Sequence, residues 1–147
     1  MTEAEIRVNV KRRLNSYKDL RAEHRQLLDE LQQLEAVMDS PSGPNYDGMP
    51  KSPGVGNPVE RMVIKHLELV DRYKAQLSKL AAAQLAIEVM IENLEPTERR
   101  LARFRYIDGL TWDDVCERMN YSWRQTHRIH GRMLDKLVEQ EIEKGRS

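Results

Sequence analysis

Cysteine occurs once in this chain and phenylalanine once, and aromatic residues together make up only 5% of it. A single thiol excludes an intramolecular disulfide and any multi-cysteine zinc site, and it suits a reducing compartment. An excess of either charge is also missing: 24 Lys and Arg stand against 24 Asp and Glu. That balance argues against a protein that coats nucleic acid generally, but it leaves room for a local basic face. No run approaches the roughly 18 apolar residues of a membrane-spanning helix, and the first residues carry no signal-like apolar stretch. The expectation is a cytoplasmic protein with no membrane partner. Also lacking are a glycine-rich phosphate loop after a strand, a nucleophile elbow and a metal-ligand cluster, so no active site and no cofactor are expected. Such a chain is not expected to be an enzyme.

What the chain does have is Leu, Glu, Arg, Gln, Lys and Ala in abundance, the profile of long helices. Thr2-Glu3-Ala4-Glu5 reads as a capping box. From there Ile6, Val10, Arg13, Tyr17, Leu20, His24, Leu27, Leu31, Leu34 and Met38 alternate steps of four and three, a heptad seam with Leu14 beside its polar Arg13. A helix this polar is stabilised mainly by packing one face, so it requires a partner. Residues 40–57 hold Pro41, Pro44, Pro50 and Pro53 with four glycines, which predicts a loop. Asn57-Pro58-Val59-Glu60 then restarts a helix. Its seam is read as Val59, Val63, His66, Val70, Tyr73, Leu77, Leu80, Gln84, Ile87, Ile91 and Leu94. Two seams of similar length predict an antiparallel hairpin over residues 1–95. Met62, Leu67, Leu69, Ala81, Ala82, Leu85, Ala86, Val89 and Met90 lie off that seam, and their surplus suggests that both the C-terminal helices and a second copy in a homodimer pack there.

Pro96 ends the hairpin, because proline biases Glu95 away from the helical region. A short helix over TERRLARFRYI follows, with Leu101, Phe104 and Ile107 as its apolar face. Asp108-Gly109 turns the chain into two more capping signals: Thr111 with Asp114, and Ser122 with Gln125. Between them lies a short helix with Val115, Cys116 and Met119 on one face. The helix after Ser122 keeps Thr126, Ile129, Met133 and Leu137 at helical spacing. This is a helix–turn–helix over 96–147, with the tail after Leu137 expected to fray. Residues 122–136 hold four Arg or Lys against one Asp, so positive charge gathers at the motif. Arg124 and Gln125 stand at the positive end of the helix dipole. Arg pairs well with guanine and Gln with adenine in the major groove.

The stretch IDGLTWDDVCERMNYSWRQTHRIHGRMLDKL resembles the fourth conserved region of bacterial sigma factors, over about a third of the chain. The order of a long helical region, a PSGPNYDGMPKSPGVGNPVE insert and this motif is similar to phage late-gene transcriptional regulators of the ArpU and RinA type. The resemblance implies base-edge contacts from Trp123, Arg124, Gln125, His127 and Arg128, with Ser122 as N-cap. Phosphate contacts are expected from Thr111, Ser122, Arg132, Lys136, Arg100 and Arg103. It also implies a phage or prophage regulator working in a bacterial host, with host RNA polymerase as a partner beside double-stranded DNA. The chain departs from the sigma pattern at Trp123 and at Gly131 inside the helix.

Other constellations read as structural. His24 and His66 are seam residues that fall opposite Tyr73 and Leu31 if the hairpin turns near residue 48. They are then on the order of 10 Å apart along the axis, too far to share an ion. His127 and His130 lie one turn apart without an acidic or Cys ligand, and DNA contact or solvation is expected of them. Cys116 is read as core, and Asp113-Asp114 as capping. The function expected is therefore sequence-specific DNA binding in transcription regulation by an all-α protein. A small-terminase-like packaging subunit, distinguished by a ring of many copies, and a coiled-coil adaptor, distinguished by indifference to DNA sequence, are the alternatives.

Overall fold

The computed structural model describes residues 1–40 and 57–146. Among them every regular element is a helix: α1 (Glu3–Met38), α2 (Pro58–Ile91), α3 (Pro96–Ala102) with a π-helical continuation (Arg103–Ile107), α4 (Trp112–Met119) and α5 (Trp123–Arg146). The loop expected over 40–57 lies, for residues 41–56, outside what is described. The start signals act as read. Thr2 and Glu5 bond reciprocally, each backbone N–H donating to the other's side chain, and the Asn57 Oδ1 accepts from the Glu60 N–H at 2.7 Å.

Two compact units share the long helices. One comprises residues 21–79 and the other residues 1–20 with 80–147; neither boundary falls at residue 95. In the first, α1 and α2 run antiparallel around Leu27, Leu31 and Leu69, flanked by Leu34, Val70 and Tyr73. His24 stacks on Tyr73 at 4.5 Å and bonds Gln76 at 3.0 Å, the Tyr73 juxtaposition expected of a hairpin turning near residue 48. His66, expected opposite Leu31, meets the carboxylate of Glu35 one turn further along α1 at 3.1 Å. The α2 seam differs from its reading here: Leu69 is buried, whereas Val59, Val63 and Leu77 are exposed. A straight helix drifts about 20° per heptad from a strict 3.5-residue repeat, so a seam extrapolated that way leaves the packed face.

In the second unit Val10 and Leu14 of α1, Ile87, Met90 and Ile91 of α2, and Leu94 of the turn after it join the core of the C-terminal helices. Leu14, and not Arg13, fills the seam there; Arg13 pairs with Glu141 at 2.9 Å. The supporting helix is not one α-helix. After Ala102 it widens, the Asp108 N–H reaching the Arg103 carbonyl at 2.8 Å, five residues back. This widening accompanies burial of Leu101, Ala102, Tyr106 and Ile107, with Phe104 only partly covered. Gly109 follows at φ +71°, the left-handed conformation that glycine adopts without a Cβ penalty.

The tail does not fray where expected. α5 is helical to Arg146, Leu137 and Val138 are buried, and Ile142 packs on the core. Arg7 of α1 pairs with Asp135 as well, so α5 is held to α1 by two ion pairs.

Candidate nucleic-acid interface

α4 begins where the Thr111 hydroxyl accepts the Asp114 N–H at 3.2 Å. It ends at Asn120, φ 58° and ψ 41°, where asparagine is the non-glycine residue best suited to the left-handed cap. The Tyr121 N–H closes that turn onto the Cys116 carbonyl at 3.1 Å. Ser122 then opens α5 with a full capping box: its Oγ accepts the Gln125 N–H at 3.1 Å, and the Gln125 Oε1 accepts the Ser122 N–H at 3.2 Å. Val115, Met119, Thr126, Ile129 and Met133 are buried between the two helices and their support. The Thr126 hydroxyl satisfies itself on the Ser122 carbonyl at 2.9 Å, so burying it leaves no orphan donor.

These caps fix which side chains look outward. Trp123, Arg124, Gln125, Arg128 and Arg132 are exposed, and Arg124, Arg128 and Arg132 follow one another at i, i+4 spacing. None of these three has an ion-pair partner among the described residues. Asp135, the acid of this stretch, is already neutralised by Arg7. The first turn of α5 carries no acid, whereas that of α4 carries Asp113 and Asp114. The result is a cationic stripe running from the positive end of a helix dipole.

Gln125 is exposed, but its Oε1 also serves the cap, so bidentate pairing with an adenine would have to open the box. Thr111 and Ser122 are exposed and likewise occupied as N-caps. Arg100 lies over the Phe104 ring at 5.9 Å, and Arg103 pairs with Glu88 at 3.2 Å. Lys136 differs most from its expected role. Its ammonium bonds Glu98 at 2.5 Å and lies 3.6 Å from Glu95. The Glu98 carboxylate is buried, and Lys136 is the counter-charge that tolerates it there; the same bond holds the Lys136 pKa above its ordinary value.

The histidines are half-buried in a cluster of aromatic rings. His127 lies 3.8 Å from the Trp123 ring and 4.5 Å from that of Trp112, and its Nε2 is buried without a hydrogen-bond partner. His130 meets Trp112 edge-on at 4.7 Å and bonds the Tyr106 hydroxyl at 2.6 Å. Arg105 covers Trp112 from 4.7 Å while donating to the Leu110 carbonyl. Burial pushes the Tyr106 phenol up to about 12, partly offset by Arg105. Burial lowers His130 to about 4, helped by His127, Lys11 and Arg105 nearby. The protonated phenol and the neutral His130 ring thus share one hydrogen bond between Oη and Nε2. The sequence reading missed Trp112, Tyr106 and Arg105 as members of this cluster. Their signal was faint, since Trp112 and His130 belong to different helices and Tyr106 reaches the core through the widened turn.

Among the described residues no group of three His, Cys, Asp or Glu is placed to hold a metal ion, and no helix is long and apolar enough to cross a membrane. No protein-family model, curated protein or solved structure matches this chain, so what the face does follows from its side chains alone.

Proposed function

We propose that this chain is a sequence-specific DNA-binding transcription regulator that inserts the N-terminal half of α5 into the major groove. The observation that carries this reading is the stripe of Arg124, Arg128 and Arg132. The three are exposed and unpaired on the helix that follows a capped turn, with no acid in its first turn. Arginine without a carboxylate partner keeps its five donors for guanine edges and phosphates. In this reading Arg124 and Arg128 read bases, Gln125 contributes less because of its cap, and Arg132 holds a phosphate. The sigma-like sequence pattern supports the same orientation and is the ground for proposing a phage-type regulator with an RNA polymerase contact. A homodimer is proposed from Leu67, Leu85 and Val89, large apolar side chains left exposed on α2; sedimentation as a clean monomer at tens of micromolar would refute it.

Selection from a pool of random duplexes at near-physiological salt tests the main claim. A consensus enriched by the native chain and lost by Arg124→Ala/Arg128→Ala is the expected result; no enrichment by the native chain overturns it. Salt titration separates the remaining cations. Arg132→Ala should flatten the slope of log affinity against log salt by about 0.9, one phosphate contact. Lys136→Ala should leave that slope nearly unchanged, because its ammonium is engaged by Glu98 and Glu95.

A further inference from the structure

Trp123 is the first residue of α5 and its side chain is 60% exposed. A large apolar ring held in water gains nothing from burial, yet this ring is not loose. It lies against His127 one turn on, and His127 in turn lies against Trp112 of α4. Trp112 is pinned by Arg105 and by the edge of His130, which the Tyr106 hydroxyl fixes to the core. A continuous run of rings therefore leads from the buried Tyr106 to the exposed Trp123. His127 cannot offer Nε2 to a base edge without leaving that run, since the atom is already buried among the rings.

We propose that Trp123 is an apolar base reader, taking the C5 methyl group of a thymine in the major groove, and that His127 is a positioning residue that holds its indole there. The proposal rests on the reading of α5 as the groove helix. Indole has one N–H donor and no acceptor, so it is ill-suited to reading donor–acceptor patterns but well-suited to covering a methyl. Thymine alone among the four bases shows a methyl in that groove. The adjacent Arg124 and unpaired Arg128 supply the cationic surroundings that bring a duplex to this end of the helix. Pre-stacking removes rotamer freedom before binding, so less ordering is left to oppose the contact.

The test uses the full chain and its selected duplex, with each thymine replaced singly by deoxyuridine, a change that deletes only the methyl. One position should weaken binding about four-fold, the equivalent of one buried methyl, and Trp123→Ala should bind thymine and uracil at that position alike. His127→Phe keeps a ring against both indoles but removes the nitrogens, and should retain the discrimination; His127→Ala should lose it while keeping the salt slope of the native chain. Equal binding of all uracil-substituted duplexes by the native chain, or discrimination that survives Trp123→Ala, overturns the proposal and leaves α5 as a groove helix. Loss of discrimination in His127→Phe assigns His127 a polar contact and overturns its positioning role. A pool that yields no preferred duplex overturns both this proposal and the reading beneath it.

Discussion

Between Arg21 and Lys79 the two long helices meet over three buried leucines, Leu27, Leu31 and Leu69, whereas the same two helices enter a core of seventeen buried residues where the C-terminal helices join them. The difference is one of geometry. Two helices bury one narrow stripe each, and polar pairs such as His24 with Gln76 and His66 with Glu35 fill the rest of their seam. Adding α3, α4 and α5 lets Ile87, Ile91 and Leu14 be surrounded on several sides and excluded from water almost completely. Local stability follows buried apolar contact. The proposed DNA-reading face therefore belongs to the better-packed unit, and the proposed dimer-forming Leu67 belongs to the thinner one.

Truncation of the cores should expose that contrast most strongly. Leu14→Ala removes a side chain that is fully buried in the larger core and should cost about 3 kcal/mol in urea unfolding. Leu69→Ala, equally buried but in a cluster of three, should cost about 2 kcal/mol, because a thin seam collapses more readily around the gap. Native-state hydrogen exchange should agree, with amides of 21–38 and 58–79 opening at lower free energy than those of α5. Equal costs and uniform protection would show that the two units unfold as one and that the thin seam is not a separate weak point.

Histidine provides the next contrast. His130 belongs to the larger unit and is held neutral by burial, with its value lowered from 6.5 to about 4. The unfolded chain therefore takes up a proton as pH falls below 6.5 while the folded chain does not. Stability from this group is fully present above pH 6.5 and is lost down to about 4. The loss should be about 2 kcal/mol, less than the full shift implies, because one side of the ring still meets solvent. Lys11, Arg105 and His127 lie close enough to oppose the added charge, and the Tyr106 hydroxyl is the polar group facing the ring. Urea midpoints at pH 7 and pH 4.5 should separate more for the native chain than for His130→Phe. Parallel curves would place the acid sensitivity in carboxylates elsewhere.

How far the sequence foretold this arrangement differs along the chain for physical reasons. Helix starts were legible because a cap is local: Thr2 with Glu5, Asn57 with Glu60 and Ser122 with Gln125 lie three residues apart and bond as read. The buried face of α4 and α5 was legible for the same reason, since Val115, Met119, Thr126, Ile129 and Met133 mark it by spacing alone, though Cys116, read as core with them, is only half-buried. Leu69 was not placed on the packed face because a strict heptad drifts off a straight helix over several turns. Lys136 looked like a free cation because its partner Glu98 is 38 residues away and its burial depends on the tertiary core. His127 and His130 read as DNA contacts or solvated because a histidine in a polar string gives no sign that tryptophan rings pack on it from another helix. Val138 and Ile142 continue the apolar spacing of α5 and were hidden only by the acidic residues around them.

The smallest expected effect isolates backbone from packing in the larger unit. Gly131 lies inside α5, and a Cβ built there meets nothing within 4 Å. Glycine in a helix interior costs roughly 0.5–1 kcal/mol relative to alanine, because the unfolded chain loses more freedom on folding. Gly131→Ala should therefore raise the urea-unfolding free energy of the chain by that amount without altering a contact. Hydrogen exchange sharpens the point: α5 amides that exchange through global opening should slow by the same increment, whereas locally opening amides between Arg21 and Met38 should not change. A gain that spread equally to those amides would mean that the thin seam opens only when the larger core does. The contrast between three buried leucines and seventeen core residues would then be one of composition and not of stability.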